Sequence, residues 1–214
     1  MTFIAFAQSL QSEIQNGLPG TAAHMTMAPY NRLTPIDLNR LKITPKESAV
    51  LILFYPVDGV PHFCLIQRPE YDGIHSGQVC FPGGRKDDDD SDLAQTALRE
   101  SHEEIGVDPK TVNLLGELTQ VYVPPSNFLI TPFVGNCLVK PEFIPDKTEV
   151  DSVIHVNLDQ FLNPTIVKRK VIPIGRLGIS IDTPYFDIAD RTVWGATAVI
   201  LAEVKEIVNK FYEN

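Results

Sequence analysis

Cysteine is scarce in this 214-residue chain: Cys64, Cys80 and Cys137 are odd in number and widely spaced. No pair has zinc-site spacing, and the pattern fits a reducing compartment better than a disulfide framework. Long apolar runs are missing too, and none approaches the length that a membrane helix requires. The first residues lack a basic n-region, and Gln8, Gln11, Ser12 and Glu13 interrupt their apolar positions. They read as a short amphipathic helix rather than a signal peptide. Positive charge is in deficit, with a formal net charge of −9. That argues against a nucleic-acid partner, which would call for a basic face. A small anionic substrate stays open, because a bound divalent cation reverses the local field. A soluble cytoplasmic protein is expected, with no nucleic acid and no membrane as partner.

Hydrophobic content of 43% and charged content of 21% are those of an ordinary globular chain, long enough for one good-sized core or for two small ones. Phe3, Ala7, Leu10 and Ile14 stand at helical spacing, and Gly17 and Pro19-Gly20 end that helix. Thr21 to Pro45, rich in proline and turn formers, reads as an extended arm that offers a means of homodimerisation. Ser48 to Tyr55 is a continuous apolar run, the pattern of a strand covered on both faces. Asp58-Gly59 is a turn signal, and Val60 to Arg68 is a second strand, antiparallel to the first. A glycine-rich loop ending Phe81-Pro82-Gly83-Gly84 and an acidic run, Asp87 to Asp90, precede a helix from about Asp92 to Ile105. Ser91 or Asp90 is the expected N-cap and Gly106 the C-cap, with Pro109 preventing continuation. Short apolar segments recur at Val112–Val123, Leu129–Val139, Val150–Leu158, Val167–Ile174 and Gly178–Ile181. A closing helix from about Arg191 to Tyr212 carries Trp194, Ala198, Leu201, Val204, Val208 and Phe211 as its stripe. The expectation is one mixed α/β domain over 46–214 with an extension, 1–45, made of a helix and an arm.

On the Asp92–Ile105 helix, Glu100, Glu103 and Glu104 sit at i, i+3 and i+4, so one turn carries three carboxylates. Like charges at this spacing repel by a few tenths of a kcal/mol per pair. The stretch has two readings on its own: a solvated acidic face, or ligands for a hard divalent cation with oxygen donors.

Arg99-Glu100-x-x-Glu103-Glu104-x-Gly106-Val107, behind a Gly-Gly loop and an acidic linker, resembles the Nudix box. Its early Gly and Glu positions fall on Arg85 and Ser91, and Ser101 stands where an apolar residue is usual. Upstream, Leu65-Ile66-Gln67-Arg68 and His75-Ser76-Gly77-Gln78-Val79-Cys80-Phe81-Pro82-Gly83-Gly84 resemble the signature of the coenzyme A pyrophosphatase subgroup, with its Gly-Gly at this one-place offset. Gly73 stands where that subgroup has an arginine, so Arg68 or Arg85 would have to substitute. Pro184-Tyr185-Phe186, Val193 to Ala198 and the segment from Glu149-Val150 to Leu158 are similar to the same subgroup, extending the likeness over about Glu47 to Leu201.

The resemblance implies an α/β/α sandwich with a mixed β-sheet, to which this chain adds an N-terminal helical extension and a long C-terminal helix. It also implies metal-dependent hydrolysis of a diphosphate linkage, with Mg²⁺ (or Mn²⁺) on Glu100, Glu103 and Glu104. Arg99 is expected to hold one of those carboxylates in place. Glu149, with Glu103 behind it, is the candidate base or extra ligand. Arg68, His75 and Gln78 are candidate contacts to a coenzyme A-like substrate, while Gly83 and Gly84 allow close backbone approach. His102, His155, Trp194 and Cys80 are expected to be solvent-facing or packing residues, and His24 is given no role. Two other readings are a Nudix hydrolase for NADH, ADP-ribose or a nucleotide sugar, and a non-catalytic metabolite-binding regulator. The second would have lost the metal-binding acids, which are all present here.

Overall fold

A computed structural model describes residues 1–28, 35–70, 76–174 and 179–212. In chain order its helices are α1 (Phe3–Asn16), α2 (Thr21–Met27), α3 (Pro35–Arg40), α4 (Leu93–Ile105), α5 (Leu158–Leu162) and α6 (Gly195–Asn209). The strands are β1 (Lys46–Val57), β2 (Val60–Gln67), β3 (Val79–Cys80), β4 (Gly83–Arg85), β5 (Asn113–Glu117) and β6 (Val121–Val123). They continue with β7 (Phe128–Asn136), β8 (Ser152–Asn157), β9 (Val167–Ile174), β10 (Ile179–Ile188) and β11 (Arg191–Val193). Among the described residues no helix is long and apolar enough to cross a membrane.

The continuous apolar run of β1 has a plain cause: alternate side chains are buried on opposite faces. Ile52 and Phe54 enter one core, while Ala49, Leu51, Leu53 and Tyr55 enter the other. β2 repeats the arrangement with Phe63 and Leu65 on the first side and Cys64 and Ile66 on the second. The first core is covered by α1 and α6, and the second by Ala97 and Ile105 of α4. The result is an α/β/α sandwich. Its sheet is mixed, because β1 runs antiparallel to β2 but parallel to β7. The strand order is β3-β2-β1-β7-β5, with β8 beside β2 and β6 beside β7. β4 pairs with the first part of β1, Ser48 to Val50, and β2 with its end, Phe54 to Val57. A separate antiparallel sheet, β11-β10-β9, completes the fold.

Three expectations need correction. Thr21 to Pro45 is not wholly an extended arm, since it contains α2 and α3. Tertiary packing overrides the weak local propensity there: α2 buries Ala23, His24 and Met27. The last helix begins at Gly195 rather than Arg191, because Arg191–Val193 pairs with β10 across a turn in which Ala189 and Asp190 have φ of 50° and 59°. Trp194 is the residue before the helix and extended its apolar pattern misleadingly. The N-cap of α4 is Asp92, which accepts from Gln95 N at 2.8 Å, whereas Asp90 turns inward.

α2 is tied to α6 by a polar contact inside the fold. The Glu203 carboxylate is fully buried and accepts from Gly20 N (3.0 Å), Thr119 Oγ1 (2.7 Å) and Thr119 N (3.2 Å). His24 Nε2 stands 3.0 Å from Oε2, the oxygen that also accepts from Thr119 N, and is the donor when Glu203 is ionised. Burial pushes the Glu203 pKa up, but the hydrogen bonds from His24 and Thr119 and the charge of His24 outweigh it, and the net shift is downward. A carboxyl lowered in the folded state stabilises the fold above its unfolded pKa of about 4.3, and that contribution is lost as the pH falls through the lower folded value. Glu203→Ala strands several buried donors at once, so urea denaturation at pH 7 should show a loss of about 3–5 kcal/mol. A loss below about 1 kcal/mol would mean that the contact is dispensable.

Candidate active site

The site begins with α4, a helix capped at both ends by its own sequence. α4 carries Glu100, Glu103 and Glu104 in its last two turns, ending at Gly106 with φ 74°. Ser101, at a position where an apolar side chain is usual, is buried and bonds Ala97 O at 2.7 Å, so its hydroxyl is satisfied within the helix. Glu104 is the most enclosed of the three acids, at 1% exposure. One oxygen accepts from Gly83 N at 2.8 Å, and the other lies 3.4 Å from Arg68 Nη2. Burial, together with the charges of Glu100 and Glu149, outweighs Gly83 and Arg68 and pushes its pKa up to about 7. Burial also raises Glu100, against the opposing effect of Arg99, with Glu103 and Glu149 adding to the rise.

The glycine pair is required sterically. Gly83 has φ +149°, and a Cβ there would stand 2.3 Å from Ala49 O. At Gly84 a Cβ would meet the carboxyl carbon of Glu100 at 2.4 Å. β4 therefore lies directly against the glutamates of α4, as the close backbone approach expected at these positions demands.

Arg99 is an organiser of the acids. Its Nε and Nη2 bond the two Asp90 oxygens at 2.9 and 2.8 Å, and its Nη1 bonds Glu100 at 3.0 Å and Glu103 at 2.9 Å. Nη2 also donates to Arg85 O at 3.1 Å. Glu103 is thereby held at the exposed surface rather than turned inward with Glu104. Asp90, which sequence reasoning treated as an N-cap, is buried and also accepts from Thr96 Oγ1 and Asp87 N. The Arg99 hydrogen bonds hold its carboxyl well below the usual range. Its run of four aspartates hid it, because nothing local separates the inward one from its neighbours.

Glu149 sits on a loop hung from the end of α4: Ile144 N bonds Ile105 O, Asp146 N bonds Glu104 O, and Asp151 N bonds Gln67 O, each at 2.9 Å. That pinning explains why its charge acts on both Glu100 and Glu104. Arg68 lies between β2 and the glycine loop, with its backbone N on Gln78 O at 3.0 Å. Gln78 is half-buried at that junction, whereas His75 lies outside the described residues. His102 is exposed and bonds Val107 O, and His155 accepts from or donates to the buried Tyr55 hydroxyl at 2.6 Å. Among the described residues no three His, Cys, Asp or Glu side chains are drawn into a finished cation cage. Arg99 and Arg68 stand among the carboxylates instead. The donor set nevertheless suits a hard divalent cation, being carboxylate oxygens that are crowded, partly desolvated and raised by one another's charge.

A mixed sheet between helical layers, with a glycine loop laid against a glutamate-bearing helix, defines the Nudix fold class. The chain belongs to the Nudix family: residues 45–173 match the NUDIX domain. It is 32% identical over 182 residues to Nudix hydrolase 15, mitochondrial, of Arabidopsis thaliana, covering 82% of this chain and 63% of that protein. It is 31% identical over 175 residues to the same plant's Nudix hydrolase 22, chloroplastic, covering 78% of this chain and 57% of that protein. The chain thus spans about three fifths of those two plant relatives. Identity is also 31% over 168 residues to the Nudix hydrolase NudL of Yersinia pestis (strain Pestoides F), covering 78% of this chain and 81% of that one. A crystal structure of a Nudix hydrolase from M. smegmatis, RenU, superposes with a TM-score of 0.55 at 16% identity, over 79% of this chain and 89% of that one. A MutT/nudix family protein from Enterococcus faecalis gives 0.50 at 16% identity, over 78% and 63%. Both solved structures bear on the fold.

Glu104 sets a pH dependence. Its proton is kept in the folded, metal-free protein up to about pH 7, whereas the unfolded chain releases it near pH 4.3. This contribution to stability is complete below about pH 4.3 and is lost as the pH rises through the folded value. Urea denaturation in EDTA should therefore show a slope between those limits that Glu104→Gln flattens. At pH 8 the variant should be more stable than the parent by on the order of 1–3 kcal/mol. An unchanged slope would contradict the burial of an uncompensated carboxyl.

Proposed function

We propose that this chain hydrolyses the diphosphate linkage of a nucleoside diphosphate derivative in a divalent-metal-dependent reaction. Coenzyme A or a derivative is the proposed substrate, giving 3′,5′-ADP and 4′-phosphopantetheine. The observation that carries the reading is Glu104, held on Gly83 N beside Arg68, with its pKa raised by burial and, further, by the charges of Glu100 and Glu149. A buried carboxyl so placed is expensive for the fold, and a cation ligand accounts for it. The subgroup resemblance of the loop through Gln78 to Gly84 supports the substrate.

Glu100 and Glu104 would hold Mg²⁺ (or Mn²⁺), with Glu103 reaching in from the exposed side. When bound, the ion neutralises charge on the diphosphate and makes water a better nucleophile. Glu149 is assigned as base or extra ligand ahead of Glu103, because Glu149 acts on both inner glutamates while Glu103 is engaged by Arg99. Arg99 keeps Glu100 oriented through a charge-assisted bond. Arg68 is favoured over Arg85 as the phosphate-binding arginine, since it faces Glu104 whereas Arg85 is exposed and lends Arg99 its carbonyl. Gln78 and His75 complete the proposed substrate contacts.

Incubation with coenzyme A and Mg²⁺ should yield the two half-molecules by mass spectrometry, and EDTA should abolish them. Cleavage of ADP-ribose or NADH with coenzyme A left intact would overturn the substrate assignment. Glu104→Gln should lower kcat on the order of 10²-fold or more in a folded protein, and wild-type turnover would remove it from the site.

A further inference from the structure

We propose that a cleft at the end of β4 receives the third phosphate of the substrate, the ribose phosphate monoester that remains on 3′,5′-ADP, with Lys86 as its specificity-determining contact. The inference rests on the function proposed above. It assigns a place to the part of the substrate that sets coenzyme A apart from other nucleoside diphosphate derivatives.

The cleft has a volume of about 360 Å³ and lies where the start of β1 meets the residues that follow β4. Small-molecule sites run from roughly 300 to 1,000 Å³. Strand pairing fixes its relation to the acids. Gly84 stands opposite Ala49, and Lys86 N continues the ladder with a bond to Glu47 O at 3.1 Å. Side chains alternate along a strand, so position 86 points to the same face as position 84. At position 84 that face is filled by Glu100, whose carboxyl carbon lies 2.4 Å from where a Cβ would stand. Lys86 is therefore on the acid-bearing side of the sheet, two residues or about 7 Å of strand beyond Glu100. One ribose bridges a gap of that order between its 5′ and 3′ phosphates. A diphosphate held at Glu100 and Glu104 thus directs the 3′-phosphate along β4 to Lys86.

The charges at the cleft favour such a group. Lys46, Arg85 and Lys86 line it, in a chain of formal net charge −9. Glu47, Asp87 and Asp88 line it as well, but two of these acids already face cations. Asp87 lies 3.7 Å from Arg99 Nη2, and Glu47 lies 3.9 Å from Lys86 Nζ with its side chain 59% exposed. A contact so long and so exposed contributes little, and a better acceptor displaces it. Among the described residues Asp88 then remains as one acid without a cation, against two cations, Lys46 and Arg85, without a carboxylate. A phosphate monoester carries about 1.5 to 2 negative charges at pH 7, so it gains from that surplus and from Lys86 together. Alternation turns Arg85 and Lys46 to the other face, which leaves them at the rim of the cleft and Lys86 as its inner contact.

The test compares kcat/KM for coenzyme A and for dephospho-coenzyme A, which lacks only the 3′-phosphate, in Mg²⁺. The unaltered protein should favour coenzyme A about tenfold or more, chiefly through KM. Lys86→Ala should lower that ratio about three- to tenfold, while Lys86→Arg should keep most of it. Calorimetric binding of 3′,5′-ADP should exceed that of 5′-AMP in the unaltered protein, with the margin reduced in Lys86→Ala. Equal cleavage of the two substrates by the unaltered protein would overturn this inference and leave the diphosphate hydrolase standing. A Lys86→Ala loss that falls equally on both substrates would overturn it too, marking a general disturbance of β4. If neither substrate is cleaved, the functional reading falls and takes this inference with it.

Discussion

A carboxylate cannot be withdrawn from water at small cost without a donor to receive it, and Arg68, β4 and α4 are arranged around that constraint at Glu104. The donor is a backbone amide, Gly83 N, and it reaches the carboxylate because β4 pairs with the first part of β1. β1 in turn is buried on both faces, so it offers a rigid base for a short strand. The two glycines follow from the closeness of the layers: a side chain at either position would collide with β1 or with Glu100. Even so, one amide and a half-buried arginine leave Glu104 under-compensated. The fold retains there an electrostatic strain, which the cation proposed above would relieve.

Around this acid the other charges are sorted by depth. Buried Asp90 pairs with half-buried Arg99 at the start of the site, and the far side of the guanidinium reaches outward to Glu100 and Glu103. One arginine thus links an enclosed aspartate to progressively more exposed glutamates. Such a gradient gives the cluster both an anchored edge and an open one. The loop bearing Glu149 closes the third side because it is bonded to the last carbonyls of α4 and not because of its own composition.

Much of this was legible in the sequence, for identifiable reasons. β1 and β2 announced themselves because strands covered on both faces leave unbroken apolar runs, and α4 because its caps and spacing agree. The glutamates and glycines were legible as a motif, since spacing along one helix survives translation into space. What failed depended on contacts distant in sequence. α2 exists because α6 receives its buried face, and His24 acquires a partner, Glu203, that lies 179 positions away. Val193 is equally buried in a strand or at a helix start, so apolar periodicity could not separate β11 from α6. Asp90 was hidden among three identical neighbours whose exposures differ only in the folded chain.

The packing of α1 against the end of the chain has a further meaning. Phe6 lies 5.8 Å from Phe211 and 5.7 Å from Tyr212, ring centre to ring centre, and Glu13 pairs with Lys210 at 3.5 Å. α1 and the residues that follow α6 are therefore one packed unit, although they stand at opposite ends of the described sequence. Removing either partner would bare apolar surface on the other, so the two should come undone together. Part of the covering of the first core is thus assembled from segments that share no local sequence, and it forms only when the whole sandwich does.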